Sequence, residues 1–160
     1  MENAESKILN AYDIQQFQQN RYPLLFVDEI TDYVPGKYAK GNKSFTYNEW
    51  FFPAHFADEP NVPGFVQVEV LAQVFIMSFL TIPECKGKKT AFLHTETNFY
   101  KKLVPGHRLE VVAELSKYKR GVAEGTSIGY LNGEVACESR LKVAVPDVLN
   151  KYLPKFGEQK

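Results

Sequence analysis

Apolar and polar residues alternate with period two through much of the second half of the chain. In residues 107–118, Leu109, Val111, Ala113 and Leu115 alternate with Glu110, Glu114 and Ser116. In residues 134–145, Val135, Cys137, Leu141, Val143 and Val145 alternate with Glu134, Glu138, Arg140 and Lys142. This period predicts antiparallel strands with one covered face. Asn132-Gly133 is a two-residue hairpin signal, and Lys119-Arg120-Gly121 marks another turn. Residues 90–103 read as a strand, ended by Pro105-Gly106. In the first half, residues 10–20 read as a short helix capped by Asp13 and anchored by Ile14, Phe17 and Tyr12. Strands are expected over residues 24–34 and 37–47, parted by Pro35-Gly36, the second weakened by Gly41. Residues 48–63 read as a loop holding Pro53, Pro60 and Pro63 and the aromatic run Trp50-Phe51-Phe52 with Phe56. Residues 147–160 read as a loose or short helical tail. No repeat or linker divides the chain, so one domain over 1–160 is expected, with its core at about 10–145.

The pattern changes at residues 65–82, where 13 of 18 positions are apolar. The length is near that of a membrane span, but Gln67, Glu69 and Gln73 lie inside it, and an acid in hydrocarbon is costly. A buried helix is expected, opening at Pro63-Gly64 and ending near Pro83. A helix apolar on all sides must be surrounded, and the available wrapper is a curved sheet. The expected fold class is α+β, with six antiparallel strands wrapped around one long central helix.

Charge narrows the partners. Lys plus Arg total 19 and Asp plus Glu total 19, a formal net charge of zero. That balance argues against a nucleic-acid binder. Residues are 44% hydrophobic and 14% aromatic, enough for a sizeable core and a hint of self-association. The two cysteines, Cys85 and Cys137, form no disulfide framework and point to a reducing, cytoplasmic compartment. Residues 1–7 are polar and lack the apolar core of a signal segment.

Candidate chemistry concentrates in residues 51–73. His55 sits in the proline-rich loop, Glu69 on the second turn of the helix, and Gln73 four residues on, along the same helical face. A carboxyl on an enclosed apolar helix is expected to hold its proton and act as a general acid. His55 suits a general base. The backbone N–H groups at Gly64, at the helix N-terminus, suit polarisation of a carbonyl. Each residue alone has a plainer reading: a solvated loop histidine, a glutamate paired to a strand Lys or Arg, a satisfied core amide. The spacing His-x7-Pro-Gly-x4-Glu-x3-Gln raises all of these together.

This stretch resembles the 3-hydroxyacyl-acyl-carrier-protein dehydratases of bacterial fatty-acid synthesis, the FabZ type, which have the hot-dog fold. Their hallmark is approximately FFxGHFPxxPxxPGVLxxEALAQ, and here it runs from Phe51 to Gln73. Arg21-Tyr22-Pro23 with Val27-Asp28, and Leu103-Val104-Pro105-Gly106 with Leu109, resemble two further family segments. The resemblance implies that His55 abstracts the α-proton of a 3-hydroxyacyl thioester. Glu69, from the opposite subunit of a homodimer, protonates the leaving hydroxyl. The Gly64 N–H binds the thioester carbonyl, Gln73 orients Glu69, and the Asn61 carbonyl holds the second nitrogen of His55. Gly64, Phe65 and Gln73 are thus the candidate substrate-binding residues, and His55 and Glu69 the catalytic pair. A trimer of dimers, an acyl-carrier partner and no cofactor are also implied. Glutamate instead of aspartate at 69 fits the FabZ type over the dehydratase-isomerase type. The chain departs from the family at Asn20 (usually His), Ala54 (Gly), Ala57 (Pro) and His107 (Asp).

Other patterns carry less. Gly125-Thr126-Ser127-Ile128-Gly129 matches a serine-nucleophile motif but lies in a strand with no histidine after it. His55, Asp58 and Glu59 lack a metal-ligand spacing, so no metal is expected. His94 and His107 read as strand-end surface residues. Lys86-Lys88-Lys89, Lys101-Lys102 and Lys117-Lys119-Arg120 are either solvated turns or, with Arg21, a docking surface for an acidic carrier. Competing functions are a hot-dog thioesterase and a non-catalytic binding or assembly subunit.

Overall fold

The computed structural model describes residues 8–155. One antiparallel sheet contains β1 (Leu9–Asn10), β2 (Glu29–Val34), β3 (Tyr38–Ser44), β4 (Ala91–Phe99), β5 (Arg108–Lys119), β6 (Val122–Leu131) and β7 (Glu134–Ala144), in the order β1-β2-β3-β5-β6-β7-β4. Helix α2 (Gly64–Leu80) leaves the β3 side of the sheet and delivers the chain to the far edge, β4. It packs against β3, β5, β6 and β7. Every residue from Val70 to Leu80 is buried, as expected of a helix apolar all round. Seventeen residues span about 25 Å, yet none of the described helices is long and apolar enough to cross a membrane.

The sheet has seven strands, not six. The extra one, β1, is two residues long and pairs with Ile30 and Glu29; so short a segment has no period to read. The first helix, α1, covers only Ala11–Ile14. Its cap is Asn10, not Asp13: the Asn10 side chain accepts from Tyr12 and Asp13 N–H, and Asp13 returns the bond to the Asn10 N–H. Ile14 is buried as expected, but Tyr12 is exposed. The strand expected from residue 24 starts at Glu29, because the Phe26 and Val27 N–H groups bond the Gln73 side chain instead of a neighbouring strand. The strand expected to reach residue 103 stops at Phe99, where the N–H groups of Tyr100 and Lys101 both turn to the Ala136 carbonyl. In the tail, α3 spans Pro146–Leu149, and residues 156–160 of the expected helical segment lie outside the described residues.

Glycine sets how closely helix and sheet approach. A Cβ on Gly125 would stand 2.6 Å from the Phe75 ring and 2.1 Å from the Glu114 carbonyl. On Gly41 it would stand 3.2 Å from Val74 and 2.7 Å from the Glu29 carbonyl. Gly41 thus gives α2 its seat. The loop before α2 is anchored by Phe51, which packs edge-on against Phe26, Phe45, Trp50 and Phe52. Lys43, almost fully buried, pairs with Glu49 at 2.6 Å and ties that loop to β3.

Candidate active site

His55 lies at the end of a short 3-10 turn, Phe52–Ala54, half-buried and stacked on Phe56. Its Nδ1 is 3.0 Å from the Asn61 carbonyl. A carbonyl only accepts, so Nδ1 carries the proton and Nε2 presents its lone pair. The Asn61 N–H bonds back to the His55 carbonyl at 2.9 Å, which closes the loop around the ring. Gly64 is the first residue of α2, whose cap, Pro63, offers no side-chain acceptor. Among the described residues nothing accepts from the Gly64 N–H, so that donor and the positive helix end remain available. His55, Asn61, Val62, Gly64, Gln67, Phe99, Tyr100, Lys101 and Lys102 border one cavity of about 420 Å3. Phe65 is exposed on the same first turn. Phe99 lies flush against Gly64, where an added Cβ would come within 3.2 Å of its ring.

Glu69 and Gln73 border a different cavity, also about 420 Å3, with Asn20, Arg21, Lys89 and Phe92. Gln73 is fully buried and uses its whole amide. Its Oε1 accepts from Phe26 N–H at 2.9 Å and Val27 N–H at 3.3 Å; its Nε2 donates to the Leu24 carbonyl and to Glu69 Oε1 at 2.9 Å. Gln73 therefore donates to Glu69 while also being the satisfied core amide of the plainer reading. Asn20 Nδ2 reaches the same Glu69 oxygen at 3.2 Å. Glu69 is half-buried, not enclosed, and no Lys or Arg forms an ion pair with it among the described residues.

Within one chain His55 and Glu69 do not meet. From Gly64 to Glu69 the helix turns by about 140° and rises about 7.5 Å, which sends Glu69 to another side of α2. The two cavities lie toward opposite ends of β4, whose inner face carries Phe99 beside the first and Phe92 beside the second. Those ends are roughly 20 Å apart along the strand. β4 is an edge strand, exposed along nearly its whole length, with Phe92, Leu93 and Phe99 about half exposed.

Cationic residues rim both cavities. Lys101 pairs with Glu134 and Lys102 with Glu59. The Lys102 ammonium beside Glu59 holds its carboxyl below the usual range. Arg21 is spent on the carbonyls of Gln15, Gln18 and Asn20. Ser127 is buried, its hydroxyl donating to the Leu71 carbonyl, which removes it from any nucleophile role. His94 lies within β4, not at a strand end, and His107 Nδ1 accepts from the Val104 N–H just before β5. The roles of Asn20 and Phe99 were not read from the sequence; the only trace of Asn20 was its departure from the family pattern.

The family model for a FabA-like domain matches residues 19–141. The chain is 40% identical over 136 residues to a 3-hydroxyacyl-[acyl-carrier-protein] dehydratase FabZ of Clostridium botulinum, covering 84% of this chain and 94% of that protein. It is 37% identical to the FabZ of Roseiflexus castenholzii, over 86% of this chain and 97% of that one. Among solved structures, the dehydratase heterocomplex ApeI:P of Xenorhabdus doucetiae superposes with a TM-score of 0.72 at 15% identity, covering 89% and 97% of the two chains; this likeness speaks for the shared fold. The chain belongs to the FabA-like family, and within it is similar to FabZ dehydratases.

Proposed function

We propose that this chain is a 3-hydroxyacyl-[acyl-carrier-protein] dehydratase, a hydro-lyase of fatty-acid or related acyl-chain biosynthesis. His55 Nε2 takes the α-proton of the 3-hydroxyacyl thioester while the Gly64 N–H and the α2 terminus steady the charge growing on the thioester oxygen. The C3–O bond breaks, Glu69 gives its proton to the departing hydroxyl, and the products are water and the trans-2-enoyl thioester. Phe65, beside Gly64, lines the approach of the acyl chain. The observation that carries the reading is the fixed tautomer of His55 beside an uncapped helix N-terminus.

The second half-site comes from a homodimer. Two copies pairing antiparallel along β4 would set the Phe92 end of one against the Phe99 end of the other. Glu69 of the partner subunit then stands by His55. The free edge and half-exposed apolar residues of β4 support this arrangement, and three such dimers form the hexamer. An acidic acyl carrier docks over Lys101 and Lys102 at the mouth of the His55 cavity. Two buried free cysteines support a cytoplasmic location. Purified protein given 3-hydroxyacyl carrier thioester is expected to produce the enoyl form, read by mass spectrometry. His55→Ala and Glu69→Gln are each expected to lower kcat by about 100-fold or more. Normal turnover in both variants, or release of free thiol in place of enoyl product, overturns the proposal.

A further inference from the structure

We infer that Asn20 is a positioning residue for Glu69: its side-chain amide pins Oε1 and leaves Oε2 as the oxygen that transfers the proton. The catalytic meaning rests on the dehydratase reading above; the geometry stands on its own contacts. Oε1 accepts two amide donors, Asn20 Nδ2 at 3.2 Å and Gln73 Nε2 at 2.9 Å. Among the described residues no donor reaches Oε2. The two donors come from different walls, Gln73 from α2 and Asn20 from the loop before β2. A single donor would let the carboxyl turn and exchange its oxygens. Two, from separate elements, hold it in one orientation. When the proton leaves Oε2, both donors stabilise the charge that remains.

Asn20 is itself held in place. Arg21 Nη1 donates to the carbonyls of Asn20 and Gln18, both at 2.8 Å, and Nη2 donates to the Gln15 carbonyl at 2.8 Å. Gln18, buried, donates to the backbone carbonyl of Gln73 at 3.3 Å. The segment from Gln15 to Arg21 is thereby fastened to the helix that carries Glu69. Because an amide does not titrate, its donor is present at every pH.

The test compares full-length wild type, Asn20→Leu, Asn20→His, Glu69→Ala and the Asn20→Leu/Glu69→Ala double variant. With 3-hydroxyacyl carrier thioester, Asn20→Leu is expected to lower kcat about tenfold with little change in KM. Asn20→His, which offers a ring N–H, is expected to restore most of the loss. In thermal unfolding, Asn20→Leu is expected to lower Tm in the wild-type background and to have little effect once Glu69 is alanine. Unchanged kcat in Asn20→Leu, a loss that histidine leaves unrepaired, or equal Tm shifts in both backgrounds overturns the inference. Should wild type form no enoyl product, the dehydratase reading falls and the catalytic role of Asn20 falls with it; the unfolding cycle separately decides the contact.

Discussion

Replacing Gln73 by leucine removes one buried amide that serves fold and site together. The side chain is fully buried, and Phe26 and Val27, whose N–H groups it accepts, are 3% and 2% exposed. Among the described residues neither N–H has another partner, because the segment leaves the sheet before Glu29. Leucine has nearly the same size and no acceptor. Each orphaned buried donor costs about 1–3 kcal/mol, so the pair costs about 2–6 kcal/mol. Burying an apolar group in place of an amide offsets roughly 1 kcal/mol, which leaves about 3 kcal/mol. The Leu24 carbonyl also loses its partner, but Leu24 is half exposed and water replaces the bond. For a chain of this size a loss of that order lowers Tm by roughly 6–12 °C. The assay is thermal unfolding by circular dichroism at matched protein concentration and neutral pH, alongside turnover. Glu69 keeps only Asn20 as a donor, so kcat is expected to fall as well. A Tm within about 2 °C of wild type would refute the reasoning, since the two N–H groups would then have found partners elsewhere.

Two further outcomes follow from burial and charge. Burial pushes the Cys137 thiol up to about 12, while a backbone hydrogen bond with Gly129 lowers it in part. An unfolded thiol ionises near 8.5, so above that pH the unfolded chain holds fewer protons than the native one. Stability is expected to fall as pH rises from about 8.5 toward 10, by up to ~1.4 kcal/mol per unit, and Cys137→Ala to remove that part of the slope in denaturant unfolding; identical slopes would contradict it. Lys101→Glu and Lys102→Glu are each expected to raise KM severalfold for carrier-bound substrate at low salt and to leave a small soluble thioester unaffected. Equal changes for both substrates would place the lysines in chain packing instead of docking.

Periodicity reported the strands well because their covered faces are regular, and it failed where a side chain or a lone carbonyl takes over a backbone bond. The Gln73 side chain draws Phe26 and Val27 away from the sheet, the Ala136 carbonyl ends β4, and Asn10 caps a helix whose pattern allowed Asp13. Each depends on a partner distant in sequence or on a choice between two similar polar residues. The motif from Phe51 to Gln73 was legible because its residues are contiguous, and the family resemblance already assigned Glu69 to the site of the opposite subunit. The fold deals His55 and Gly64 to one end of β4 and Glu69 with Gln73 to the other. The helical turn between Gly64 and Glu69 makes that division unavoidable within one chain. The proposed second copy along β4 would reunite them, so an edge strand that none of the described residues covers carries as much of the proposal as the proposed acid and base themselves. Asn20 belongs to the same logic: a loop residue with no motif value of its own acquires meaning from the carboxyl it reaches.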